Sequence, residues 1–104
     1  MSEVDIETFA RARAAGSEVI DVREPREYLA GHVPGAKLIP MAQLPGRLEE
    51  IEKQPVYVVC ASGNRSLAMT SLLRSAGYDA YSVAGGTSGW ARSGRTVIEG
   101  RERG

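Results

Sequence analysis

Residues 56–60 read Val-Tyr-Val-Val-Cys, and the cysteine opens a polar loop, Ala61-Ser62-Gly63-Asn64-Arg65-Ser66. After that loop the spacing turns helical. An apolar strand, a thiol, a tight loop and a helix, in that order, place a sulfur atom over converging backbone N–H groups at the positive end of a helix. Both features favour the thiolate and lower the thiol's pKa. Cys60 is therefore the candidate nucleophile. It is also the only cysteine, so no internal disulfide forms and the thiol is left to react. A cysteine that ends an apolar strand is, by itself, equally at home as inert core. The glycine-containing loop and the helix behind it are what point to reactivity.

The neighbours of Cys60 carry weaker signals. Gly63 is free of the Cβ constraint and lets the loop N–H groups converge. Asn64 is expected in a turn conformation, and Ser66 as the cap of the following helix. Arg65 either reaches over the loop to a bound anion or pairs with a nearby carboxylate. Arg23 either contacts substrate or braces Asp21. His32, the sole histidine, stands between Gly31 and Pro34-Gly35, where a tight turn bonding the imidazole to backbone fits better than a catalytic base. With one histidine and one cysteine, neither a transition-metal site nor a cofactor is expected.

Elements must hold these residues in place. Asp5 can cap a helix over 6–15, with Ile6, Phe9 and Ala10 on one face and Gly16 ending it. Short strands are expected at 18–22, 36–39 and 80–83. The clearest strand is 56–59, apolar on both faces as a central parallel strand should be. Pro25 starts a brief helical turn through Tyr28 and Leu29, ended by Gly31. Helical spacing recurs at Met41, Leu44, Leu48 and Ile51, weakened by Pro45 and Gly46. A good helix covers 66–76, with Leu67, Leu72 and Leu73, and Gly77 terminates it. Gly85-Gly86 lead into a short helix carrying Trp90, read as core. Gly85-Gly86 are expected to let a loop pack closely near Cys60. Strands alternating with helices imply an α/β fold, a mostly parallel sheet of about five strands with helices on both faces. In such sheets the reactive groups lie beyond the carboxyl ends of the strands, which brings the loops after Asp21-Val22, Val59 and Val83 around one thiol.

The chain has 104 residues, enough for one domain, here residues 1–98, with 99–104 read as a frayed polar tail. The balance of 13 basic and 13 acidic residues leaves no basic stripe, so nucleic acid is not an expected partner. No apolar run approaches membrane-spanning length, and no signal segment opens the chain. A lone free thiol fits a reducing compartment, and the expected location is the cytoplasm.

Four segments, in this order and spacing, resemble the single-domain rhodaneses, a sulfurtransferase family. They are Asp21-Val22-Arg23 with Glu27-Tyr28, then Gly31-His32-Val33-Pro34-Gly35-Ala36 with Ile39-Pro40, then the loop from Cys60 to Ser66, then Gly85-Gly86 with Trp90. The resemblance implies a rhodanese-like three-layer fold. It implies that Cys60 takes a sulfane sulfur from thiosulfate or a related small anion as a persulfide. The sulfur then passes to cyanide or a thiol, a protein thiol included. It assigns substrate binding to Ala61, Ser62, Gly63, Asn64, Arg65, Ser66 and Arg23. One position departs from the pattern: many thiosulfate-using members carry a basic residue directly after the cysteine, and this chain has Ala61.

Two other readings compete. A cysteine-dependent phosphatase or arsenate reductase also holds an anion between strand and helix. The tyrosine-phosphatase pattern, however, has five residues between cysteine and arginine where this chain has four, and the smaller cradle suits sulfur better than phosphate. A non-catalytic regulatory module is the second, but inactive relatives usually lack the loop cysteine.

Overall fold

Residues 56–59 are so uniformly apolar that both faces of their strand must be covered, and the strand runs through the middle of the sheet. The computed structural model describes residues 2–104. Its strands are β1 (Glu3–Val4), β2 (Glu18–Asp21), β3 (Lys37–Leu38), β4 (Val56–Val59) and β5 (Ala80–Val83). Its helices are α1 (Ile6–Ala14), α2 (Pro25–Ala30), α3 (Asn64–Ser75) and α4 (Gly86–Arg92). The strand order is β1-β5-β4-β2-β3, and every pairing is parallel. This is the expected α/β architecture.

Side chains alternate across the sheet, as the two-residue period of a strand requires. Tyr57 and Val59 enter one core with Phe9 of α1, Tyr28 of α2 and Trp90 of α4. Val56 and Val58 enter the other with Leu73 of α3 and Leu44. The two flanking strands carry their share: β2 places Ile20 opposite Val58, and β5 places Ser82 opposite it on the other side.

Three elements differ from the sequence reading. The helical spacing from Met41 to Ile51 yields two 3₁₀ turns, Leu44–Gly46 and Leu48–Glu50, and no α-helix. Pro45 lacks the N–H that a helix interior needs and Gly46 adds backbone freedom, yet Leu44, Leu48 and Ile51 still reach the core. The two-residue edge strand β1 carries no periodic signal. Helix α3 begins two residues early, at Asn64, because Gly63 at φ 118° makes the turn and serves as its N-cap. Asn64 is thus the first helical residue, and Ser66, one turn in, is not the cap.

The segment after Ile98 lies against the body. Ile98 bridges His32 in antiparallel fashion, and the Gly100 N–H donates to the Leu29 carbonyl at 2.9 Å. His32 is fully buried and stacks on the Tyr28 ring at 3.6 Å, with its Nδ1 and Nε2 at 2.8 and 2.6 Å from the carbonyls of Tyr28 and Glu102.

Phe9 tests the packing of the first core. Its ring meets Trp90 edge-on at 5.4 Å and Tyr57 at 6.0 Å. Phe9→Ala should cost about 3–5 kcal/mol, seen as a lower urea midpoint at unchanged slope. A loss below about 1 kcal/mol would show that this face does not hold α1 and α4 to the sheet.

Candidate active site

The site follows from the neighbours of β4. Because β4 lies between β2 and β5, the segments after all three strands meet at one sheet edge. Cys60 follows β4 there and is only 1% exposed, so its sulfur sits on the floor of the loop. The Gly63 N–H donates to the sulfur at 3.1 Å. The Ser66 hydroxyl lies 3.5 Å from it.

Helix α4 sets the orientation of the loop peptides. Its first-turn amides, Thr87 and Ser88, donate to the carbonyls of Cys60 and Ala61 at 2.8 and 3.0 Å. A trans peptide points its N–H opposite to its C=O. Pulling the Ala61 carbonyl toward α4 therefore turns the Ser62 N–H back toward the sulfur. Burial pushes the Cys60 thiol up, but hydrogen bonds from the Ser66 hydroxyl and from the N–H groups of Ser66, Gly63 and Ser62 outweigh it. The net effect holds the thiol below its ordinary value of 9.0.

Behind Ser66 stands Ser82 of β5, fully buried, with its hydroxyl oxygen 2.7 Å from that of Ser66. The hydrogen-bond count closes in both protonation states. With Cys60 as a thiol, Ser66 accepts from the sulfur and from Ser82 and donates to the Gly63 carbonyl at 3.0 Å. With Cys60 as a thiolate, the Ser66 hydroxyl turns to the sulfur. The Gly63 carbonyl keeps the Leu67 N–H at 3.2 Å, so no buried polar atom is stranded.

Two ion pairs flank the loop. Arg65 forks onto Glu27 of α2, Nη1 to Oε1 at 2.8 Å and Nη2 to Oε2 at 2.9 Å. Arg65's double hydrogen bond holds the Glu27 carboxyl down at about 2. Arg23, 6% exposed, binds Asp21 through both Nε and Nη2, and its Nη2 also donates to the Gly31 carbonyl at 2.8 Å. Of the expected substrate-binding residues, Ser62, Gly63 and Ser66 turn toward the sulfur. Asn64 is exposed, Ala61 is half-buried with its carbonyl taken by Ser88 of α4, and the guanidinium groups of Arg65 and Arg23 are held by carboxylates. No group of three or more His, Cys, Asp or Glu side chains suited to a metal occurs among the described residues.

The family profile of the Rhodanese-like domain matches residues 5–93. The chain belongs to the rhodanese-like domain family. It is 33% identical over 102 residues to a protein named sulfurtransferase from Allochromatium vinosum, covering 94% of this chain and 95% of that one. It is 40% identical over 82 residues to the uncharacterized protein YqhL of Bacillus subtilis, covering 77% of this chain and 65% of that protein. Among solved structures, the rhodanese-related protein of Thermoplasma volcanium superposes with a TM-score of 0.87 at 29% identity, over 94% of this chain and 98% of the other. The five-stranded parallel sheet with its helices is the fold of a rhodanese-like domain.

Sequence reasoning missed Glu27 as the partner of Arg65 and Ser82 as the partner of Ser66. The first pair is 38 residues apart and the second 16, beyond any local pattern. The alternation of Ser82 with Tyr81 and Val83 on a buried strand was the only available signal for the second.

Alkylation by iodoacetamide reads the thiolate directly. Its rate should rise with pH through a midpoint below 9.0, and Ser66→Ala should move that midpoint upward. Ser82→Ala should move it the same way by less. A midpoint unchanged in Ser66→Ala would remove the hydroxyl from the anion's support.

Gly86 tests the loop's support from α4. Its φ is 57°, and a Cβ there would lie 2.4 Å from the Cys60 carbonyl oxygen and 2.7 Å from that of Ala61. Gly86→Ala must displace the loop, and it should slow Cys60 alkylation at neutral pH at least about tenfold. Wild-type alkylation kinetics in that variant would contradict the coupling.

Proposed function

We propose that the protein is a sulfurtransferase that carries a sulfane sulfur on Cys60. The observation that carries the reading is the contact of one buried sulfur atom with the Gly63 N–H at 3.1 Å and the Ser66 hydroxyl at 3.5 Å, in a loop whose Ser62 and Ser66 amides also act to lower the thiol's pKa. The same donors serve the thiolate before transfer and the persulfide after it, because both are anions. The relative named sulfurtransferase from Allochromatium vinosum supports the reaction class.

The first half-reaction is attack of the Cys60 thiolate on the outer sulfur of a donor. A Cys60–S bond to that sulfur forms as the donor's S–S bond breaks. With thiosulfate the leaving group is sulfite, which departs with the bonding electron pair and leaves Cys60–S–S⁻. In the second half-reaction an acceptor thiolate or cyanide takes the terminal sulfur, and Cys60 returns as thiolate. No electron acceptor is needed, and the donors that hold the Cys60 thiol below its ordinary value lessen the need for a general base. His32 faces two carbonyls and is left out of the chemistry.

The phosphatase reading needs an arginine free to grip phosphoryl oxygens. Arg65 instead spends both terminal nitrogens on Glu27, which favours sulfur transfer.

Cys60→Ser should abolish sulfur transfer from every donor while far-UV circular dichroism and the urea midpoint stay close to wild type. In the wild-type chain, intact mass after incubation with a sulfane donor should show a gain of one sulfur atom that a reductant removes. Activity retained in Cys60→Ser, or hydrolysis of an aryl phosphate that depends on Cys60, would overturn the reading.

A further inference from the structure

Glu27 bears on which donor the site accepts, an inference that rests on sulfur transfer at Cys60. Both arginines at this sheet edge are matched by a carboxylate. Arg65 is spanned by Glu27, and Arg23 is held by Asp21 in the buried interior. Ala61 adds no charge at the position directly after the cysteine. The guanidinium of Arg65 is held high by its hydrogen bonds to Glu27 first, and the charge of Cys60 adds to that effect. Thiol, arginine and carboxylate therefore share one electrostatic neighbourhood. The four flanking charges cancel, and ionised Cys60 leaves the site with a net negative charge.

Thiosulfate would bring two negative charges to that site, where each neighbouring cation already has a partner. Its inner sulfur also carries three oxygens that need donors, while the loop N–H groups already point at the floor. Cys60 is 1% exposed, so the donor has to present one sulfur on a narrow stem. The terminal sulfur of an organic persulfide meets both demands, since it has a single bond and carries at most one charge.

We propose that Glu27, by neutralising Arg65, sets the donor preference of this site toward the persulfide of a small thiol and against thiosulfate. The Cys60 thiolate attacks the terminal sulfur of R–S–SH, and the Cys60–S bond forms as the donor's S–S bond breaks. RS⁻ leaves with the electron pair and takes up the persulfide proton, giving Cys60–S–S⁻ and RSH. Sulfur changes carrier with no external oxidant or reductant.

The experiment loads reduced protein with thiosulfate or with cysteine persulfide, whose amino-acid part is a zwitterion, and follows Cys60 persulfide formation by intact mass. The wild-type chain should load at least about tenfold faster, as a second-order rate constant, from cysteine persulfide. Glu27→Gln leaves the charge of Arg65 unopposed. It should raise the thiosulfate-to-persulfide ratio about tenfold, through the half-saturating thiosulfate concentration, and make thiosulfate loading fall more steeply with added salt. Ala61→Arg keeps the Glu27–Arg65 pair and should shift the ratio the same way, which guards against misfolding of the first variant. A wild-type preference for thiosulfate, or a ratio unmoved in both variants, overturns the role of Glu27 while leaving sulfur transfer in place. Failure of both donors to add sulfur at Cys60 overturns that role and the proposed function together.

Discussion

The Gly63 N–H that donates to the Cys60 sulfur at 3.1 Å is the contact on which the rest of this site depends. A nearly buried thiol resists ionisation, because a charge loses its hydration when it leaves water. Only fixed donors can reverse that preference. Gly63 supplies one of them and, at φ 118°, also makes the turn that starts α3. One residue thus decides both where the helix begins and what its amino end faces. No other residue type adopts that φ without strain.

The loop does not hold this shape unaided. Its carbonyls at Cys60 and Ala61 are taken by the amides of α4, which frees the opposite sides of the peptides to face the sulfur. Gly86 lets α4 come that close. The sheet order matters for the same reason: β4 between β2 and β5 is what sets α4, Ser82 and the Asp21–Arg23 pair around a single atom. Core packing and chemistry are therefore linked through α4, whose Trp90 lies in the core against Phe9.

Much of this was legible in the sequence. The uninterrupted apolar run at 56–59 announces a central strand, and the glycines at 16, 31 and 77 mark the ends of helices. Legibility fades where structure depends on contacts between distant residues or on single backbone angles. Pro45 and Gly46 break an otherwise helical spacing into 3₁₀ turns. Edge strand β1 is two residues long and owes its pairing to β5. The start of α3 moves from Ser66 to Asn64 because the turn is set by Gly63's φ, which composition does not display. Arg65 illustrates the limit most clearly. Its type and place suggest an anion ligand, and its partner, Glu27, is visible only once α2 is folded against the loop.

The central claim is that loop N–H groups hold the Cys60 anion, and amide NMR reads those groups individually. In a pH titration of ¹⁵N-labelled protein, the amide protons of Ser62, Gly63 and Ser66 should shift together with one midpoint below 9.0, and that common transition should vanish in Cys60→Ser. Amides that stay still while the thiol ionises, or that move with a midpoint at or above the ordinary thiol value, would contradict the account.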